Sequence, residues 1–246
     1  MSTNPFDFDA DNSPAPPSGG DDWGADLLSQ GVEFADNPEP RCPCVLLLDT
    51  SKSMAGPRIQ ALNDGLVAFH DELLKDPLAS QRVEVAIVTF GGKQPEVIQD
   101  FVTVDQFAPP LLQAAGKTLM GGGIHLGLDL LESRKAQYKA HGVAYYRPWV
   151  FMLTDGQPQG EPPDLIETAS QRIRADEQGK RVAFFAVGVE GANMDKLAQV
   201  SARKPVKLKG LRFVDMFVWL SRSTQTVANS NPGDQVALPP VNWGTL

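Results

Sequence analysis

The sequence predicts an α/β layer structure on a mostly parallel sheet of roughly six strands, with roughly six helices between them. Three observations carry this. Val45-Leu46-Leu47-Leu48, Trp149 to Leu153 and Val182 to Val187 are uninterrupted apolar runs, as strands covered on both faces require. Between such runs, apolar residues recur at helical spacing, as in Ile59, Leu62, Leu66, Phe69 and Leu73. The connections are short, which suits strand–helix–strand units.

In chain order, the first strand ends in Asp49-Thr50-Ser51-Lys52-Ser53. Gly56-Pro57 then resets the chain, a helix follows from Arg58 to near Leu74, and Pro77 stops it. Val83 to Phe90 is the second strand. Val97 to Val102 is a shorter third strand, read as an antiparallel edge because only a hairpin-length link precedes it. After a loop, the helix following Gly122 carries Ile124, Leu128, Leu131 and Tyr138 inward. Trp149 to Leu153 is the central strand and ends in Thr154-Asp155-Gly156. Asp164 reads as the N-cap of a helix from Leu165 to near Gln178. Val182 to Val187 is the next strand, Asn193 to Val200 a short helix, Val206 to Leu208 a final edge strand, and Phe213 to Thr226 the last helix.

A chain of 246 residues accommodates one large domain. Its formal charge is −8, but nine of the 30 acids lie in residues 1–40, which contain no Lys or Arg. The remaining 21 acids face 22 basic residues, so the folded part is nearly neutral and lacks the basic footprint of a nucleic-acid binder. No apolar run approaches membrane-spanning length and no basic, then apolar, leader opens the chain, so neither membrane nor export is expected and the expected location is cytoplasmic. Three regions follow: an acidic, Pro/Gly-rich arm at 1–37, expected to be flexible; a domain at 38–228; and a tail at 229–246, expected to pack on the domain. An arm acid such as Asp22, Asp26 or Glu33 could visit a nearby cation in cis. Cys42 and Cys44 are the only cysteines, too few for a zinc site, and are expected reduced, buried and on opposite faces of their strand.

Chemistry concentrates at two strand ends. Asp49-x-Ser51-x-Ser53 offers a carboxylate and two hydroxyls at the carboxyl end of a buried strand, where open α/β sheets place ligands. Such oxygens suit a hard cation, with Mg²⁺ the first choice and Mn²⁺ or Ca²⁺ as alternatives. Thr118 and Asp155 complete the candidate set, so that Asp49, Ser51, Ser53, Thr118 and Asp155 are expected to converge on one ion. The plainer alternative is that both acids cap helices and the serines satisfy turn N–H groups. A phosphoryl-transfer enzyme with a strand-end nucleophile would want Asp-x-Asp here, and Ser51 stands at the second acid's place. Gly116-Lys117-Thr118 imitates the end of a phosphate-binding loop, but Leu111 stands where its first glycine belongs. No nucleophile–base pair is evident, so a non-catalytic protein is expected.

The combination of Asp49-Thr50-Ser51-Lys52-Ser53-Met54, Thr118 before a glycine-rich helix start, and Leu153-Thr154-Asp155-Gly156 resembles the von Willebrand factor A domain and its metal-ion-dependent adhesion site. Arg41 to Asp49, Gln157-Pro158, Pro232-Gly233-Asp234 and Leu238-Pro239-Pro240 are similar to its bacterial TerY-like, tellurium-resistance-associated subgroup. The resemblance covers residue 38 to the C-terminus. It implies a Rossmann-like, doubly wound six-stranded sheet with one antiparallel edge strand and helices on both faces. It further implies that Ser51 and Ser53 hold the ion directly, Thr118 in some states, and Asp49 and Asp155 chiefly through water. The open position would then take a Glu or Asp from a protein partner, with a companion kinase or phosphatase in a stress or phage-defence pathway as candidates. Lys52 departs from the small residue usual there; it is expected to point outward and help recruit an acidic partner.

Overall fold

The computed structural model describes residues 8–9, 34–232 and 234–245. The main sheet is built from the expected apolar runs. β2 (Cys42–Leu48), β3 (Val83–Thr89), β5 (Trp149–Thr154) and β6 (Ala183–Gly188) are buried along their whole length. β4 (Glu96–Thr103) is largely exposed until its last residues, as an edge strand should be. With β7 (Val206–Leu208) and β9 (Gly244–Thr245), the order is β4-β3-β2-β5-β6-β7-β9. The pairings are parallel except at the two margins, where β3/β4 and β7/β9 run antiparallel. Among the described residues the sheet therefore has seven strands, the last drawn from the tail beside the expected edge strand. A separate two-stranded pair joins β1 (Phe8–Asp9) to β8 (Gln235–Val236).

Helices cover both faces. α1 (Pro57–Leu73) and α6 (Phe213–Ala228) pack on one side with Leu46, Leu48 and Phe151. α3 (Met120–Ala140), α4 (Pro163–Gln178) and α5 (Met194–Val200) pack on the other with Val45, Leu47 and Met152. Alternate residues of one strand thus feed opposite cores, which is why the runs carry no polar alternation. α3 lies close on the sheet because Gly123 has no side chain: a Cβ there would stand 2.5 Å from Phe90 Cβ.

Several expectations need correction. Cys42 and Cys44 share one face, both in the α1/α6 core, because residues two apart in a strand point the same way. Both are free and buried. Asp164 is not the N-cap of α4; Pro162 holds that position and Asp164 sits in the first turn, where its charge complements the helix dipole. Pro77 does not only end a helix but begins a second, α2 (Pro77–Arg82), capped by Asp76, whose side chain accepts from Leu78 and Ala79 N–H. In the tail, Trp243 is buried against Trp219, whose Nε1 donates to Pro239 O at 2.8 Å. Asp22, Asp26 and Glu33, considered above as visiting acids, lie outside the described residues. Among the described residues no helix is long and apolar enough to cross a membrane.

Candidate metal centre

The chain runs from β2 through α1 to β3 on one side, then returns by α3 to β5 on the other side of β2. The crevice between β2 and β5 is therefore the sheet's switch point, and Asp49 and Asp155 stand at its carboxyl rim.

Asp49 is fully buried. Its Oδ1 accepts from Ser51 N at 2.8 Å and its Oδ2 from Thr154 Oγ1 at 2.6 Å. Among the described residues no Lys, Arg or His acts on it; burial pushes its carboxyl above the usual range, the Thr154 and Ser51 hydrogen bonds lower it, and Asp155 raises it further. From Asp155, Oδ1 accepts from Ser53 Oγ at 2.7 Å, across 102 residues of chain. Ser53 Oγ in turn lies 2.9 Å from Ser51 Oγ, so the two serines and the second acid form one hydrogen-bonded line.

Thr118 is brought in by backbone. Lys52 N donates to Gly116 O at 3.1 Å, Ala115 N to Thr50 O at 2.7 Å, and Gln159 N to Thr118 O at 2.8 Å. Gly156 keeps this corner open: a Cβ there would lie 3.2 Å from Thr118 Oγ1 and 3.8 Å from Asp49 Oδ2. All five sequence-derived residues thus meet in one cluster. Four are buried and Ser53 is exposed, while Lys52 projects to solvent between the serines.

Sequence reasoning missed three participants. Arg58 Nη1 donates to Asp155 Oδ2 at 2.6 Å and to Ser53 O at 3.0 Å. It stands in the first turn of α1, where a cation opposes the helix dipole, and that misplacement was the available signal. Thr154, given no role of its own beside Asp155 in the sequence, ties Asp49 to the β5 end. Glu161 caps α3 from 40 residues away, accepting from Gly121 N at 2.7 Å and, through its other oxygen, from Gly122 N at 3.0 Å. α3 has no side-chain cap from its own N-cap residue, Leu119, which was the corresponding hint.

Chemically the cluster presents two carboxylates and three hydroxyls, all oxygen donors of the kind hard cations prefer. Among the described residues no three His, Cys, Asp or Glu side chains gather as a metal-holding group, so hydroxyls would have to supply the rest of any ligand set.

Comparison with known proteins places this architecture. The chain resembles the pilus adhesin SpaC from Lactobacillus rhamnosus GG (TM-score 0.59, 13% identity, 77% of this chain and 30% of that one). It also resembles proximal thread matrix protein 1 of the mussel byssus (0.52, 14%, 76% and 48%). A third likeness is the N-terminal domain of TFIIH p34 (0.50, 14%, 75% and 98%). At these identities the likeness is one of fold, and the chain spans about half or less of the first two. No curated protein matches. The model of the von Willebrand factor type A domain matches residues 44–215, and with most of its length so matched this chain belongs to that family.

Proposed function

We propose that this chain is a non-catalytic, metal-dependent protein-binding module. Ser51 and Ser53 hold Mg²⁺ directly, Thr118 joins them in one of the site's states, and Asp49 and Asp155 act chiefly through water. A Glu or Asp of a protein partner takes the remaining position. The observation that carries this reading is Asp49: a fully buried carboxylate served, among the described residues, only by neutral donors, at the switch point of the sheet. Leaving a carboxylate buried without a counter-charge is costly, and a divalent ion beside it would supply one. Two acids held largely through water leave that ion electrophilic enough to want an external carboxylate.

The exposed Lys52 fits a rim that attracts acidic segments. The similarity of Arg41 to Asp49 and of the Leu238-Pro239-Pro240 tail to TerY-like proteins favours a bacterial stress or defence setting, with a companion kinase or phosphatase as the partner. Affinity capture from the source cell with Mg²⁺ or with EDTA, using the intact chain and Asp49→Ala, tests the reading. One companion should be retained only by the intact chain and only with metal. Retention indifferent to both EDTA and Asp49→Ala would refute it.

A further inference from the structure

Arg58 is the one basic side chain in direct contact with the cluster among the described residues. Its partner Asp155 has a side chain 1% exposed, whereas that of Arg58 is 31% exposed. The contact is held from two directions, since the same Nη1 also donates to Ser53 O. It also runs against the dipole of α1, so the placement is supported by the acid rather than by the helix. Ser53 Oγ and Arg58 Nη1 take separate oxygens of Asp155, so the guanidinium does not displace the serine.

We infer that Arg58 is a built-in counter-cation that restrains the site's hold on a divalent ion. The inference rests on the metal reading above. Two carboxylates bring two negative charges to the crevice, and one guanidinium cancels half of them. An ion of charge +2 then keeps about one positive charge uncompensated by the chain. Arg58 thereby lowers affinity for the ion alone and raises the ion's demand for a carboxylate from outside.

The test is Mn²⁺ titration of the full-length protein followed by electron paramagnetic resonance, in which bound ion leaves the free six-line signal. Arg58→Gln keeps an amide that can donate to Asp155 but removes the charge; Arg58→Ala removes both. Lys139→Gln, on an exposed residue near the far end of the 21-residue α3, is the charge-matched control. Arg58→Gln and Arg58→Ala should bind Mn²⁺ about tenfold more tightly than the parent. Lys139→Gln should bind as the parent does. Affinity unchanged or weakened in both Arg58 variants would overturn the inference while leaving the metal site standing. Equal tightening by Lys139→Gln would also overturn it, by showing a general effect of net charge. If the parent and both Arg58 variants, folded by circular dichroism, bind no Mn²⁺ at millimolar ion, the metal reading falls and the role of Arg58 with it.

Discussion

The two ends of the sheet bury acids in opposite ways. At the amino end, Glu84 at the start of β3 is fully buried and accepts from Arg41 Nε at 2.9 Å and from Arg134 Nε and Nη2, each at 2.9 Å. Tyr138 Oη adds a fourth bond, and Phe34 closes the cage, with the Arg134 guanidinium 4.9 Å from its ring centre. One acid there has two guanidiniums. At the carboxyl end, about 20 Å away along seven-residue strands, the guanidinium of Arg58 serves Asp155, and among the described residues Asp49 has none. The over-compensated acid is a structural closure, sealed from solvent. The under-compensated pair, where we propose the cation binds, opens to solvent at Ser53 and Lys52. Both ends bury acids; they differ in the balance of charge around them.

The contrast is broken most severely at the amino end. Glu84→Gln leaves Arg41 and Arg134 buried without their acid and should cost about 3–5 kcal/mol in urea denaturation. A cost below about 1 kcal/mol would mean the cage is not the closure described. Phe34→Ala, which uncovers both guanidiniums and the Tyr138 ring, should cost about 3 kcal/mol by the same assay.

At the carboxyl end the sign reverses. The folded state holds the Asp49 proton more tightly than the unfolded chain does, because burial raises its carboxyl. Metal-free stability should therefore fall as pH rises from the ordinary carboxylate range through the raised one. Asp49→Asn should flatten that part of the profile and, in EDTA at neutral pH, stabilise the chain by about 1 kcal/mol. Denaturation between pH 4 and 7 checks this, and a destabilised Asn variant would show that hydrogen bonding at Asp49 outweighs burial. The smallest effect is expected at the amino end itself, in β2 beside Glu84. Burial pushes the Cys42 thiol up to about 12 and raises Cys44 as well, so a thiol reagent at neutral pH should titrate neither until denaturant is added.

How far each end could be read from sequence follows the same contrast. The strand runs and helical phases were legible because burial on two faces leaves a local pattern. So were Asp49, Ser51 and Ser53, which are neighbours in sequence, and Asp155, which closes a second apolar run. Arg58 was not, since its partner lies 97 residues on. Glu84 reads as one polar residue in an apolar strand, and its guanidiniums come from 43 and 50 residues away. β9 is two residues long, too short to leave any period. What escaped is what tertiary pairing alone creates.

We propose that the acids and hydroxyls at the switch point form one cation site. A crystal soaked in Mn²⁺ and measured for anomalous scattering tests it most directly. A single strong peak should appear, bounded by Ser51, Ser53, Thr118 and Asp155, and be absent from Asp49→Ala. No peak within that crevice, in a crystal where its loops are ordered and open to solvent, would contradict it.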